Sequence, residues 1–337
     1  MRLQRRLRRP GLDGDSLHVS HGWSLPRRRR CHGLKSAALF GRLEGLFDLS
    51  KRTKAELLLV MATFFWGATF VIVKGALADA SPLLFVALRF LLAGSLMWLI
   101  MARGRIERRA VLPSLLLGTM LFSGFAFQTW GLVYTTPSRS AFVTGFSVIL
   151  VPLISHYSGY RLGRGNVAAA ALGLAGLYFL VLPSGFGAVN RGDLLTLLAA
   201  VSFAIHIVLL SIWSRRISFR QFAPGQIMVV GAIALLAAPF APTAPLHWTA
   251  GLIFAVVVTA VFATAFAFSA QVWAQQYTPP AHTALIFTLE PVFALLTSLI
   301  VTGEHLGEKE ILGFALILAG MIISERWGGT TPAPVEG

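Results

Sequence analysis

The residue in this chain best placed to do chemistry is Glu290, the one carboxylate in the apolar stretch Ala281–Gly303, with Pro291 directly after it. A stretch of roughly 20 apolar residues is long enough to cross a bilayer as a helix, which sets Glu290 near mid-depth. Acidic groups there are costly and are retained with a partner, in a water-filled cavity or in a transport pathway. Pro291 lacks the N–H that would bond the Phe287 carbonyl, so a polar backbone group is released beside the carboxylate. A carboxylate in apolar surroundings can exchange a proton between two states of a carrier. The competing reading is a structural Glu in a hydrogen-bond network at a proline kink.

Other polar residues in apolar segments point the same way. Arg89 suits an anionic substrate group, with snorkelling or ion pairing inside a bundle as the alternative. His206 has a side chain that titrates near neutrality and suits a proton relay; a helix histidine merely hydrogen-bonded inside the bundle is the plainer reading. Gln128 with Trp130, and Gln271 with Trp273, form matching sets that can line a cavity, although Trp near helix ends also forms interfacial belts. Arg139 and Lys74 lie near helix ends and read as interfacial. No residue reads as catalytic. Gly163-Arg164-Gly165 with Ala168 is a degenerate dinucleotide pattern without a preceding strand, and G-x-S-x-G, H-E-x-x-H and a phosphate loop ending in Gly-Lys are missing. No cofactor and no metal is expected, and an ATP-driven pump in one chain is excluded.

These residues need a membrane bundle to position them. The 337 residues are 55% hydrophobic and 13% charged with a mean hydropathy of +0.71, too apolar for a soluble domain. The net charge of +15 does not point to nucleic acid: residues 1–54 hold fourteen Lys/Arg against four Asp/Glu, leaving only +5 for the rest. That basic N-terminal extension, 1–54, reads as disordered, without a secretory signal; a transit peptide and a misassigned start are the alternatives. The one cysteine, Cys31, lies within it. Ten apolar segments follow, near 55–75, 82–102, 111–133, 139–158, 166–183, 191–212, 222–240, 248–275, 281–302 and 309–327, then a short tail, 328–337. The fold expected is an all-α integral membrane protein. Basic residues Arg103, Arg105, Arg108 and Arg109, then Arg161 and Arg164, then Arg215, Arg216 and Arg220 mark alternate loops as cytoplasmic, which puts both termini inside.

The segments repeat. A shift of 137 sets Glu56 on Asp193, Trp66 on Phe203, Thr69 on His206, Arg89 on Gln226 and Gly94 on Gly231. A shift of 143 sets Gln128 on Gln271, Trp130 on Trp273 and Tyr134 on Tyr277; 139 sets Pro152 on Pro291; 144 sets Ala175-Gly176 on Ala319-Gly320. Five segments per half make the second half enter the membrane from the opposite side, an inverted repeat of the kind that places a substrate site near the midplane. Pro152 and Pro291 are then paired bending points for gates. Glu290 faces Val151 at the equivalent position, so the carboxylate is peculiar to the second half. Small residues such as Ala169 with Gly173 and Ala315 with Ala319 favour close helix packing, within the chain or in a homodimer.

Together, Trp66-Gly67-Ala68-Thr69, Arg89-Phe90, Tyr134-Thr135 through Ala141-Phe142 to Pro152, Gly192-Asp193, Glu290-Pro291 and Gly303-Glu304 resemble the drug/metabolite transporter superfamily, specifically EamA-type permeases. The resemblance covers roughly residues 55–327, with repeats at 55–183 and 191–327. It implies a ten-helix secondary transporter in the bacterial cytoplasmic membrane that exports amino acids, related metabolites or drugs. Its partners are then a small-molecule substrate and membrane lipid, with no nucleic acid. The expected cavity set is Trp66, Thr69, Arg89, Gln128, Gln226 and Gln271, with Glu290 and His206 for proton coupling. A facilitative carrier is the nearest alternative. A channel lacks a filter sequence, and a lipid-processing enzyme needs a catalytic pair for which Glu290 with His206 is the one candidate.

Overall fold

The computed structural model describes residues 50–101, 107–156, 163–181, 190–240 and 246–327. Most of the N-terminal extension, several of the loop arginines and the C-terminal tail lie outside these residues. Helix α1 (Lys51–Ala76) starts ahead of residue 55 because Ser50 caps it, its hydroxyl accepting the Thr53 N–H at 3.1 Å. Then come α2 (Pro82–Met101), α3 (Arg108–Tyr134) and α4 (Pro137–His156), followed by α5 (Arg164–Val181), α6 (Arg191–Trp213), α7 (Phe219–Ala237), α8 (Ala250–Ala274), α9 (Pro280–Thr302) and α10 (Glu308–Trp327). Among the described residues the chain is all-helical. Among the described residues, eight of these helices are long and apolar enough to cross a membrane. In α10 the apolar run Ile311–Ile323 lies between Glu310 and Ser324-Glu325.

Three helices are interrupted. α4 breaks at Phe146, between Pro137–Gly145 and Ser147–His156, and α9 breaks at Thr288, between Pro280–Phe287 and Leu289–Thr302. The α9 break falls where Pro291 leaves the Phe287 carbonyl without its helical donor. The α4 break lies further ahead of its proline, beside Gly145, so Pro152 is not itself the point of bending. α8 contains a π-helical turn, Val261–Phe266, between Ala250–Ala260 and Ala267–Ala274; the Thr264 hydroxyl donates to the Thr259 carbonyl at 2.9 Å across it.

Helices α5 and α10 pack mainly on each other, and α2 packs along α7. In both pairs the closest approaches are reciprocal under the sequence repeat. A Cβ on Gly94 would meet Met228, while one on Gly231 would meet Leu91; a Cβ on Gly176 would lie 2.8 Å from the Gly313 carbonyl, while one on Gly320 would lie 2.9 Å from that of Ala169. Ala169 and Gly173 are thus used inside the chain, which removes them as a homodimer surface, whereas Ala315 is exposed.

Hydrogen bonds identify the two ends of the bundle. At one, Lys74 Nζ at the close of α1 donates to the carbonyls of Leu132, Val133 and Thr135 at 2.6, 3.0 and 3.1 Å, capping α3. Asn190, before α6, donates to the Tyr134 carbonyl at 2.7 Å there. At the other, Gln275 after α8 donates to the Ile207 carbonyl at 3.2 Å, and Lys51 Nζ lies 5.7 Å from the Tyr277 ring centre. Lys74 and Arg139, expected at the lipid interface, are instead tied into these helix ends, since Arg139 pairs with Asp193 at 2.6 Å.

Candidate functional site

One cavity at the centre of the bundle is lined by Trp66 and Thr69 of α1, Arg89 of α2, Gln128 of α3, His206 of α6, Gln271 of α8 and Glu290 of α9. About 70 Å³ of it is open to the centres of water molecules, room for several waters. Gln226 stands behind this wall and touches it through His206. Pro152 and Pro291 are buried outside the lining.

Arg89 is 4% exposed and has no carboxylate partner among the described residues. Its Nε donates to Thr264 Oγ1 at 2.6 Å and its Nη2 to the Ala263 carbonyl at 3.1 Å. The guanidinium lies 4.9 Å from the Phe125 ring centre and 5.2 Å from that of Phe90, faces that attract a cation. The π-helical turn is what makes this holder, because widening the ladder leaves backbone carbonyls free for side chains. The same Ala263 carbonyl accepts Trp66 Nε1–H at 2.8 Å. That indole is therefore an interior residue, set against Phe268 and Phe287 at 5.3 and 5.0 Å.

His206 Nε2 and Gln226 Oε1 are 2.9 Å apart, so an Nε2-protonated imidazole donates to the amide oxygen. Gln226 Nε2 is left without a partner, and so is Gln271 Oε1, whose amide nitrogen donates to Gln275 Oε1 at 3.2 Å. Gln128 Nε2 donates to Thr144 Oγ1 at 3.0 Å. Glu290 is half-buried in the first turn after the α9 break, where a helix N-terminus favours negative charge. Among the described residues it has no hydrogen-bond or ion-pair partner. α1 runs close beside it: a Cβ on Gly67 would stand 2.5 Å from the Glu290 carbonyl oxygen.

The site thus holds one fixed cation and one carboxylate, each without a counter-ion, among aromatic faces and amides. Residues beyond the expected set complete it: Thr264 and the Ala263 carbonyl hold Arg89, while Phe125, Phe203, Phe268 and Phe287 form apolar walls. Phe125 and Phe268 were within reach of sequence reasoning, since the shift of 143 that matches Gln128 with Gln271 also matches them. Glu290 and His206 share the cavity, so their placement does not by itself dispose of an enzymatic pair; no hydrogen bond joins them among the described residues.

Comparison with known proteins decides that question. The EamA-like transporter family model matches residues 53–182 and 190–325. An "uncharacterized transporter" of Archaeoglobus fulgidus is 35% identical over 321 residues, covering 94% of this chain and 99% of its own. That alignment is longer than the two matched repeats and reaches into the sequence flanking them. A "probable amino-acid metabolite efflux pump" of Salmonella typhimurium is 28% identical, covering 80% of this chain and 94% of its own. A protein of known crystal structure superposes with a TM-score of 0.62 at 21% identity, over 81% of this chain and 96% of that one, which establishes a shared fold alone. The names point to transport and to no enzymatic activity. With two family repeats laid over a multi-pass bundle around one polar cavity, the chain belongs to the EamA-like transporter family.

Proposed function

We propose that the protein is a proton-coupled exporter of small metabolites, amino acids or related compounds foremost and drugs as the broader class, across the bacterial cytoplasmic membrane. It works by alternating access between two inverted five-helix halves, 55–183 and 191–327, with both termini cytoplasmic. The reciprocal contacts support the inverted arrangement: Leu91 to Gly94 rise along α2 as their partners fall from Gly231 to Met228 along α7, so equivalent helices run antiparallel. Basic residues at the starts of α1 and α3 and after α6 support the orientation.

The observation that carries this reading is the presence in one cavity of Arg89 and Glu290, neither with an opposite charge against it among the described residues. An ammonium group meets Glu290 and the unpartnered Gln271 oxygen, a carboxylate meets Arg89, and the rings of Phe125 and Phe268 receive an apolar body. When no cargo occupies the cavity, a proton neutralises Glu290 instead, which makes proton and cargo alternative ligands of one carboxylate. The Salmonella relative's name agrees with an amino-acid cargo.

The test is transport into inverted vesicles under an imposed proton gradient, with a panel of amino acids and with Glu290→Gln. Gradient-driven accumulation falls by about tenfold or more in the variant, while exchange of labelled for unlabelled cargo persists. Accumulation that is unchanged in the variant makes Glu290 structural and places the coupling elsewhere, and a wild-type protein that exchanges cargo but never accumulates it under the gradient is a facilitative carrier.

A further inference from the structure

A short motif occurs twice, each time at the start of an interrupted helix: Tyr134-Thr135-Thr136-Pro137-Ser138-Arg139 leads into α4, and Tyr277-Thr278-Pro279-Pro280-Ala281-His282 leads into α9. Its last residue is basic in both, and the shift of 143 relates Arg139 to His282. Each finds an acid in the first turns of a helix from the other half. Arg139 Nη2 lies 2.6 Å from Asp193 of α6, and His282 Nε2 lies 3.0 Å from Glu56 of α1. Asp193 and Glu56 are themselves equivalent under the shift of 137. The bundle therefore carries the same cross-half contact between a basic and an acidic side chain twice, once at each end.

Both pairs hold a lever. Between Arg139 and the break at Phe146 lies the half-helix Pro137–Gly145, and between His282 and the break at Thr288 lies Pro280–Phe287. The cavity is lined at these breaks, by Gly145 and Ser147 in α4 and by Phe287 and Glu290 in α9. Each half-helix has a hinge beside the cavity and an anchored outer end. The anchors are unequal. Asp193 is 0% exposed and Arg139 13%, with added bonds from Arg139 Nε and from Thr135 Oγ1, both at 2.8 Å. Glu56 and His282 are 32% and 24% exposed, their contact is single, and Glu56 is shared with Arg52 at 2.9 Å.

We propose that Asp193–Arg139 and Glu56–His282 are two latches that hold these half-helices shut over opposite ends of the cavity, the first firm and the second readily released. Loss of one latch lets its half-helix swing at the break and opens the cavity toward that end alone. The proposal rests on the transport reading only for which end faces which side of the membrane.

Access to the cavity tests it without any knowledge of cargo. The full chain with Cys31→Ser and a reporter, Val148→Cys in the cavity wall, is placed in right-side-out and in inverted vesicles and treated with an impermeant methanethiosulfonate reagent. Glu56→Gln raises labelling about two- to fivefold from the face that carries Lys51, and leaves the opposite face unchanged or slower. Asp193→Asn raises it from the opposite face. His282→Arg, which transplants the firmer cation, slows labelling from the Lys51 face. Glu56 and His282 are partly exposed, so their variants keep the fold, and the opposite signs of Glu56→Gln and His282→Arg decide the matter even if Asp193→Asn does not accumulate. Labelling altered equally from both faces, or from neither, overturns the latches. Had the orientation been read wrongly, the two faces would exchange roles while each variant still acted on one face, which separates failure of the orientation from failure of the latches.

Discussion

Arg89 shows how narrowly a buried cation is held. Its guanidinium has one hydroxyl, Thr264 Oγ1, and one carbonyl, Ala263 O, as hydrogen-bond acceptors, with two rings alongside. Thr264→Val removes the hydroxyl, leaves the Arg89 Nε–H unpartnered and frees the Thr259 carbonyl, at a cost of about 1–3 kcal/mol. Thr264→Ser keeps both bonds. Thermal unfolding in detergent should therefore show a lowered midpoint for the valine variant and a near-normal one for serine; equal midpoints would mean that Arg89 is held by other groups. Arg89 and Glu290 were legible in the sequence because the membrane makes every ionisable residue conspicuous. Thr264 was not. The run Val261–Phe266 contains neither Gly nor Pro, and a π-helical turn has no spacing of its own to read. Trp66, expected in the cavity, lines it, but the Ala263 carbonyl that fixes its indole belongs to the same π-helical turn and was equally hidden.

At the scale of elements, the position of Glu290 depends on how closely α1 approaches α9. Gly67 lies where a Cβ would be 2.5 Å from the Glu290 carbonyl oxygen and 2.7 Å from Phe293 Cβ, contacts that backbone and branch-point atoms cannot yield without moving α9. Gly67→Ala should cost about 1–3 kcal/mol and shift the carboxylate with its helix, so that transport falls along with stability. Gly75, in the same helix, has open space around its Cβ position. Gly75→Ala should leave transport intact and raise stability by about 0.5–1 kcal/mol through helix propensity. Unfolding curves and vesicle transport on the two variants check the contrast, and similar behaviour of the pair would show that the α1–α9 contact is not limiting. The interruptions themselves were only half legible. Pro291 marks the α9 break because its missing N–H faces Phe287, but the α4 break lies at Phe146, further from Pro152 than a proline's own lost bond reaches. The repeat predicts two broken helices; the place of each break depends on the neighbours against which it packs.

For the whole molecule, the repeat divides labour between an inner and an outer set of helices. Among the described residues the cavity draws on α1, α2, α3, α4, α6, α8 and α9, whereas α5, α7 and α10 supply none of its lining, α7 packing along α2 and α5 and α10 mainly on each other. For α5 and α10, periodicity in the sequence counts them as segments without showing that they pack on each other. Their interface has a symmetry that can be measured. Gly176 approaches the Gly313 carbonyl as Gly320 approaches that of Ala169, at 2.8 and 2.9 Å from the respective Cβ positions. Gly176→Leu and Gly320→Leu should then cost similar amounts, each about 1–3 kcal/mol. Combined, they should cost less than the sum, because the first already parts the interface that the second would disturb. Since no described residue of either helix lines the cavity, the folded fraction of each variant should transport with an unchanged KM. Unequal costs would argue against a two-fold relation between the halves at this interface, and an altered KM would show that the outer pair sets the shape of the site after all.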